Sequence, residues 1–431
     1  IMKNFLTSIL LISISILNSQ LKEVLPEEIG VSSERIKLIT DLSEDYIKSN
    51  KVTGIVNIIS RKGKIVYFEA SGNRGIDDNT PMKKNDLFRI YSMTKPITAV
   101  AAMQLYEKGK FNLDDLVSKF IPELKDLKIL DSENNLKSVK NKMTMLQLLT
   151  HTAGFSYGFN PNDIVDKKYT EADLWNSKDL DEFAEKISEL PLKFEPGSKW
   201  HYSIAVDLTG LVIERISGKT LDDYFNENIF TPLGMNDTFF EVPNKKLNRF
   251  LPNHYYDYEN KKIVKVNSQK KQAMSDYNNV TLYSGGGGLV STAMDYMIFA
   301  ESLRNGGAFN GNRILSPKTI NFMTKNHLSA SLSNEGGSGE NPSWDTTSSE
   351  EADNSGFGFG LGFGLVTNTV ARKIIGSDGE YSWGGAAGTI FWIDPVEELV
   401  VVTMIQLMSS PWKLREDMKI ATYQSLIESY E

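Results

Sequence analysis

The sequence predicts an α+β protein in which an antiparallel sheet is flanked by helices, with a mostly helical second subdomain. Three observations support this prediction. The chain has 431 residues, of which 40% are hydrophobic, so it can bury a large core. Strand-like runs lie near both ends of the chain, and helical patterns fill the middle. Because a sheet buries its faces against another layer, helices are expected to cover it.

Residues 1–19 are predicted to be a signal peptide, and residues 20–431 the mature domain. Lys3 precedes an apolar run from Phe5 to Leu17, and the polar residues Asn18 to Gln20 follow. A basic start and a short apolar core are typical of export signals. The run is too short for a comfortable membrane span. An N-terminal anchor or a buried helix is the alternative. We therefore expect a periplasmic or secreted protein without a stable membrane span after signal removal.

The sheet-bearing part is predicted to comprise residues 20–90 and 281–431. A helical pattern begins after Ser32 and reaches about Ser49. Two β-rich runs, 54–60 and 64–70, flank the turn at residues 61–63 and predict a hairpin. Near the other end, the sequence predicts strands at 389–393 and 399–407 and a helix over 414–430.

The helical part is predicted to comprise residues 91–280. Apolar residues recur at helical spacing from residue 92 to residue 108, where Gly109 ends the pattern. The other clear helices are predicted at 143–149, 180–190 and 205–217, and a further one at 292–303 follows the tight loop of Gly285 to Gly288. The alternating glycines of 356–364 indicate a strand, and the polar composition of 329–356 indicates a surface insertion.

Charge and composition exclude several classes of function. The net charge is −8 and no basic block occurs, which argues against nucleic acid as a partner. The absence of cysteine excludes disulfides, thiolate metal sites and a thiol nucleophile. The four histidines show no metal-ligand spacing, so no metal and no cofactor is expected. The oligomeric state is left open.

The segment from Ser92 to Lys95 can carry chemistry because it begins a predicted helix. Residues three apart on a helix lie on the same face, so the Lys95 amine can approach the Ser92 hydroxyl. The helix N-terminus favours negative charge at Ser92. A partly buried lysine loses its proton more readily and can act as a base. A capped helix with a solvated lysine is the alternative interpretation of these residues.

Several further segments give this pair a context. They are Tyr91-Ser92-Met93-Thr94-Lys95, Leu148 to Gly154, Glu195 to Ser203, Gly210 to Glu214, Pro232 to Met235, Ser284 to Leu289 and Trp383-Gly384-Gly385. Together they resemble the serine β-lactamase and penicillin-binding-protein superfamily, from about residue 25 to the end of the chain. The resemblance implies the β-lactamase/transpeptidase-like fold. It also implies that Tyr202 is the second acid/base residue.

Two departures from the β-lactamase pattern change the expected reaction. Ile204 stands where β-lactamases have asparagine, and Trp383 stands where they have lysine. Both missing groups would help to hold a β-lactam and its carboxylate. The Trp-Gly-Gly version is similar to family VIII carboxylesterases and to acyltransferases of the same fold. The resemblance therefore implies cleavage of a small-molecule ester or amide, with carboxylic esters expected first.

The resemblance also implies the roles of individual residues. Ser92 is expected to be the acylated nucleophile, with Lys95 and Tyr202 sharing its proton; which of the two is the base stays open. The backbone amides of Ser92 and Ala386 are expected to hold the oxyanion.

Substrate contacts are expected from four residues, namely Tyr91, Trp383, Gly384 and Gly385. Acyl transfer, β-lactam hydrolysis, D-amino-acid peptidase activity and a non-catalytic penicillin-binding-like scaffold are the alternative functions.

A rival nucleophile is Ser156, in the G-x-S-x-G run from Gly154 to Gly158. This motif requires a strand before it and a helix after it. An amphipathic helix precedes it here, and Asn160-Pro161 follows. Ser156 is therefore not expected to be the nucleophile, and His151 beside it is expected to be structural.

Overall fold

The computed structural model describes residues 21–131, 133–266, 277–329, 332 and 356–430. Its strands are β1 (Gly54–Arg61), β2 (Lys64–Gly75), β3 (Asp78–Pro81), β4 (Phe88–Arg89), β5 (Lys128–Leu130), β6 (Leu136–Ser138), β7 (His254–Asp257), β8 (Lys262–Lys265), β9 (Val290–Ser291), β10 (Ala308–Phe309), β11 (Asn312–Arg313), β12 (Phe357–Phe359), β13 (Gly364–Val366), β14 (Tyr381–Gly384), β15 (Ile390–Asp394), β16 (Leu399–Met404) and β17 (Leu407–Met408).

The α-helices of the described residues follow one another mostly in the middle of the chain. They are α1 (Leu38–Lys48), α2 (Thr94–Glu107), α3 (Met145–Leu149), α4 (Ile164–Glu171), α5 (Leu180–Ser188), α6 (Ala205–Ser217), α7 (Leu221–Phe225), α8 (Thr231–Leu233), α9 (Ala293–Arg304), α10 (Pro317–Met323), α11 (Thr369–Arg372) and α12 (Leu414–Tyr423). Within the described ranges, no helix is long and apolar enough to cross a membrane.

The largest sheet joins the two ends of the chain. In the described residues it has eight strands in the order β12-β13-β14-β15-β16-β1-β2-β3, and each neighbouring pair is antiparallel. Every residue of β1 and of β16 is buried, because helices cover both faces. This arrangement confirms the predicted α+β class with an antiparallel sheet.

Alternate side chains of the central strands enter two different cores. Ile58 and Val402 are paired across β1 and β16 and belong to the larger core, which also contains residues of α2, α6 and α9. The next pair, Ile59 and Val401, belongs to a second core with α1 and α12. Burial of each such side chain contributes about 1.5–3 kcal/mol. The predicted site residues Tyr202 and Trp383 belong to the larger core.

Helix α2 is buried on every side rather than along one stripe. All of its residues from Thr94 to Leu105 are buried, and it packs against α6. Two of its polar side chains bond neighbouring backbone: the Thr98 hydroxyl donates to the Gly285 carbonyl at 2.7 Å, and Gln104 donates to the Asn228 carbonyl. A helix that is fully enclosed in this way holds its first turn rigidly.

Two local predictions are corrected by the structure. The run 356–364 is not one strand, because β12 and β13 pair as a hairpin whose turn contains Gly362. At that turn an added Cβ on Gly362 would lie 2.4 Å from Ala99 of α2. The last helix ends at Tyr423 instead of residue 430, since the following chain returns to bond Gly30 through the Ile427 amide. Residues 1–19, which are predicted to be a signal peptide, and most of the predicted insertion at 329–356 lie outside the described residues.

Candidate active site

Ser92 lies at the start of α2, in a short 3-10 turn from Tyr91 to Met93 that leads into the helix. Tyr91 has a φ of 43°, a left-handed conformation that costs a non-glycine residue energy. Its hydroxyl accepts a hydrogen bond from Asn253 at 2.7 Å. Ser92 itself is half-buried, so a substrate can reach its hydroxyl. The neighbouring Tyr91 is held by its bond with Asn253.

Lys95 lies one turn further along and is only 1% exposed. Its Nζ is 3.3 Å from Ser92 Oγ, 2.8 Å from the Tyr157 hydroxyl and 2.6 Å from the Gly286 carbonyl oxygen. Burial lowers the pKa of Lys95 to about 7, although the nearby negative charge of Asp207 opposes that effect. The amine therefore exchanges its proton near neutral pH, which suits a general base.

Tyr202 approaches Ser92 from the loop that precedes α6. Its hydroxyl donates to Ser92 Oγ at 2.6 Å, and Lys95 Nζ is 4.6 Å from the centre of its ring. Burial raises the pKa of Tyr202, while hydrogen bonds with Ser92 and with the Trp383 side chain act in the opposite direction. The structure thus brings Ser92, Lys95 and Tyr202 together, although Tyr202 is 110 residues from Ser92 in the chain.

The tetraglycine loop has a role that its sequence did not reveal. Its anchors on α2 are Thr98, which donates to the Gly285 carbonyl, and Thr94, whose hydroxyl accepts from the Leu289 amide at 3.2 Å. An added Cβ on Gly285 would lie 2.9 Å from the Val206 carbonyl oxygen, so only glycine allows this close approach. The loop thereby places the Gly286 carbonyl within hydrogen-bond distance of the Lys95 amine.

The predicted oxyanion amides lie at two abutting backbone segments. The turn after β14 is closed by the Gly385 amide, which donates to the Thr389 carbonyl at 2.7 Å. An added Cβ on Gly385 would lie 2.3 Å from the Ile90 carbonyl oxygen, so this turn presses against the chain entering Ser92. Outside helices and strands, the described residues show no backbone hydrogen bond donated by the Ser92 or Ala386 amide. The assignment of both amides to an oxyanion stays a prediction.

Trp383, a predicted substrate contact, is buried and packs against Tyr202. It is 1% exposed, and its ring lies 5.6 Å from that of Tyr202. Gly384 follows on the opposite face of β14, where an added Cβ would lie 2.6 Å from an Arg415 nitrogen. Ile204 is completely buried at the start of α6 and belongs to the larger core.

Tyr157 is a site residue that the sequence reasoning missed. Burial first, and then the neighbouring Tyr202 and Asp207, raise its pKa well above the usual range. It lies inside the G-x-S-x-G run, but nothing in that pattern distinguishes it from a core tyrosine. Ser156 beside it is 1% exposed and donates to Asp166 at 2.6 Å. Irregular chain rather than a strand precedes it, so this serine is an anchor for the loop that carries Tyr157.

His151 lies behind the site, within an aromatic cluster. Its ring is 4.9 Å from that of Tyr202 and is stacked parallel to Trp383. Burial lowers the pKa of His151 well below its usual value, so the ring is neutral. Within the described part of the chain, no group of three or more histidine, aspartate or glutamate side chains is arranged to hold a metal ion.

Comparison with known proteins assigns this chain to a family. The family model described as Beta-lactamase matches residues 38–422. Esterase EstB of Burkholderia gladioli is 28% identical over 384 residues, which cover 85% of this chain and 90% of EstB. Acyltransferase calJ of Penicillium decumbens is 29% identical over 365 residues, covering 81% of this chain and 82% of calJ.

Comparison with solved structures supports the fold. The solved structure of simvastatin synthase (LovD) from Aspergillus terreus matches with a TM-score of 0.76 and 23% identity, over 91% of this chain and 98% of that one. The resemblance stated from the motifs is thereby confirmed. This chain belongs to the Beta-lactamase family and has the β-lactamase/transpeptidase fold.

Proposed function

We propose that this protein is a serine hydrolase that cleaves carboxylic esters through an acyl-enzyme on Ser92. The observation that carries the proposal is the position of Ser92 Oγ, which lies 2.6 Å from the Tyr202 hydroxyl and 3.3 Å from the Lys95 amine. A serine hydroxyl is a weak nucleophile unless a neighbouring base takes its proton. The relationship to Esterase EstB supports the same class of reaction.

Lys95 is the base in this proposal. A neutral amine has two hydrogens and one lone pair, and two acceptors, the Gly286 carbonyl and the Tyr157 hydroxyl, lie closer to Nζ than Ser92 does. With both hydrogens engaged there, the lone pair faces the Ser92 proton. Because burial lowers the pKa of Lys95 to about 7 and raises that of Tyr202, a neutral amine beside a neutral phenol is the resting pair.

The reaction needs no reactant other than the ester and water. Ser92 Oγ bonds to the ester carbonyl carbon while its proton passes to Lys95, and the Ser92 and Ala386 amides stabilise the oxyanion. When the bond to the alcohol breaks, Tyr202 gives its proton to the leaving oxygen and regains one from Lys95. Water then attacks the acyl-enzyme, and its proton passes to Tyr202 as Tyr202 gives its own proton to Lys95. When the bond to Ser92 breaks, Lys95 returns a proton to Ser92 Oγ and the carboxylic acid leaves.

Esters are favoured over β-lactams by the two departures from the β-lactamase pattern. The lysine of that pattern is replaced by Trp383, which is buried and uncharged, and its asparagine by Ile204, which is buried in the core. The site therefore lacks two polar groups that would hold a β-lactam and its carboxylate. Amides and β-lactams are consequently expected to acylate Ser92 more slowly than esters do.

Acyl transfer is the second candidate, favoured by the relationship to Acyltransferase calJ. Both activities share the acyl-enzyme and differ in whether water or another nucleophile removes the acyl group. Addition of alcohols or amines to a reaction with a short ester separates the two. An acyltransferase releases its first product faster when an acceptor is present, whereas a hydrolase is unaffected.

The test is covalent labelling followed by intact-mass measurement. Wild-type protein is expected to gain one acyl group from esters, and one phosphonyl group from a fluorophosphonate probe. Ser92→Ala should keep its thermal unfolding midpoint but lose labelling and at least about 10³ in turnover. Ser156→Ala is the matched control and should still be labelled. Labelling retained in Ser92→Ala would contradict the proposal and point to another nucleophile. No labelling of wild type would contradict it too, and would leave the non-catalytic scaffold.

We also propose that the protein is exported. The support is the basic start and short apolar run of residues 1–19. Expression of the full chain followed by N-terminal sequencing of protein released from the periplasm or the medium tests this proposal. Unprocessed protein retained in the cytoplasm would contradict it.

A further inference from the structure

Asp207 is a buried carboxylate beside the candidate site that the mechanism above does not use. It lies in the first turn of α6 and is 0% exposed. Its Oδ1 accepts the Gly286 amide at 2.9 Å and also the Ser284 hydroxyl. Its Oδ2 is also buried, and the Tyr157 hydroxyl interacts with this carboxylate. A buried carboxylate is costly unless it is hydrogen-bonded and lies near a compensating charge.

The position of this carboxylate relates it to Lys95. Oδ2 faces the Gly286 peptide, since an added Cβ on Gly286 would lie 2.2 Å from it. The carbonyl of that same residue accepts from Lys95 at 2.6 Å. Asp207 therefore binds the Gly286 peptide, which in turn binds the Lys95 amine. The charge of Asp207 acts on that amine across buried surroundings of low polarity.

The other groups that face Lys95 cannot supply this charge. Tyr157 and Tyr202 approach from their loops as neutral phenols, because burial raises the pKa of each. His151 is neutral, since burial and the neighbouring Lys95 charge lower its pKa. Asp207 is thus the acidic group that acts on Lys95 in the described part of the chain; burial raises its pKa, and the Lys95 charge opposes that effect.

We propose that Asp207 is a positioning residue for Lys95: it fixes the Gly286 carbonyl that binds the amine and supplies the negative charge that stabilises the ammonium form. It touches no reacting atom. The inference rests on the proposed function, because it assigns how the base of that site is tuned. The ammonium form is needed after acylation begins, when Lys95 holds the proton that it returns through Tyr202. Without Asp207 the buried amine would bind that proton less strongly.

The test is the pH profile of kcat/KM for a simple alkyl ester, followed by pH-stat. In Asp207→Asn the amide oxygen still accepts from Gly286 and Ser284, but the charge is gone. The ammonium form of Lys95 then loses stabilisation, so the rising limb of the profile should move to lower pH by about one unit. Ser284→Ala is the matched control, because it removes one hydrogen bond to the same oxygen and keeps the charge; its midpoint should equal that of wild type.

Two further measurements keep the outcomes separate. Thermal unfolding shows whether each variant folds, and Asp207→Ser is a second neutral variant that must show the same downward shift. An unmoved midpoint in a folded neutral variant would overturn the inference and leave Asp207 as an anchor of the glycine loop. Failure of wild type to turn over any ester or to be labelled at Ser92 would instead overturn the proposed function.

Discussion

At the scale of single residues, burial controls the chemistry of Lys95. Three contacts enclose its amine, and the side chain is 1% exposed. Water stabilises an ammonium ion, so removal from water favours the neutral amine. The same burial makes the neutral phenol the preferred form of Tyr202. One environment thus favours a neutral amine beside a neutral phenol.

The first prediction concerns pH. We expect kcat/KM to rise with pH with a midpoint near the Lys95 pKa of about 7, because only the neutral amine accepts the Ser92 proton. Below that pH the amine is protonated and its lone pair is lost. A pH-stat assay with a non-ionising alkyl ester measures the profile. A flat profile across the neutral range would argue that Lys95 is not the titrating base.

The second prediction separates the two tyrosines near the amine. Tyr202→Phe removes the hydroxyl that contacts Ser92, and we expect kcat to fall by about 10²–10⁴. Tyr157→Phe removes a hydroxyl that accepts from Lys95 at 2.8 Å but does not contact Ser92, and the loss should be about tenfold. Steady-state rates with one ester give both values. Equal losses in the two variants would contradict the assigned roles.

At the scale of elements, the loop between α3 and α4 is held by buried polar contacts. The Asp166 carboxylate accepts from Ser156 at 2.6 Å and from Lys193 at 2.7 Å, and its other oxygen accepts the Asn160 amide. These bonds fix the chain on both sides of Tyr157. The serine that resembles a nucleophile elbow therefore serves as a structural anchor for an active-site loop.

The third prediction follows from that anchor. Ser156→Ala removes a hydrogen bond to a charged group, so we expect the free energy of unfolding to fall by about 2 kcal/mol. Labelling at Ser92 should persist, with kcat lowered through the loosened Tyr157. Urea unfolding and mass spectrometry measure the two effects. Ser198→Ala, which removes an exposed hydroxyl that bonds the Glu195 carbonyl, is the control and should change stability by less than about 0.5 kcal/mol.

At the scale of the whole molecule, α12 ties the end of the chain to the central sheet. Lys419 of α12 forms an ion pair with Glu380, and Tyr423 donates to Glu380 and, at 2.7 Å, to Asp394 at the end of β15. Lys419 and Glu380 are 2% and 1% exposed. Burial raises the pKa of Glu380, and its attraction to Lys419 opposes that effect.

The fourth prediction tests this connection. Lys419→Met leaves the Glu380 charge buried without its cation, and we expect a loss of about 3 kcal/mol in the free energy of unfolding at neutral pH. The unpaired carboxyl then prefers its protonated form in the folded state. A group whose folded pKa is raised adds stability at low pH that is lost as pH rises, so the difference from wild type should shrink in acid.

Urea unfolding of wild type and Lys419→Met at pH values above and below the carboxyl range measures this difference. The double variant Lys419→Met/Glu380→Gln is the control, since it removes both charges and should lose less stability than the single variant. The same loss at every pH would show that the ion pair is not the cause.

The sequence alone determined the parts of this protein that depend on local patterns. The pairing of Ser92 with Lys95 follows from helical spacing, and the β1–β2 hairpin follows from two β-rich runs around a turn. The motifs around Tyr202 and Trp383 led to the family and its fold, because they are short and chemically distinctive. The direction of the reaction, hydrolysis or transfer, is not contained in those patterns.

Only the tertiary structure decided which distant groups meet Lys95. Tyr157 and Gly286 lie 62 and 191 residues away in the chain, and Asp207 resembles any acidic residue in a first helical turn. Their placement depends on how α6, the loop after α3 and the glycine loop pack around α2. Local sequence cannot reveal such contacts, because they arise from packing between elements far apart in the chain.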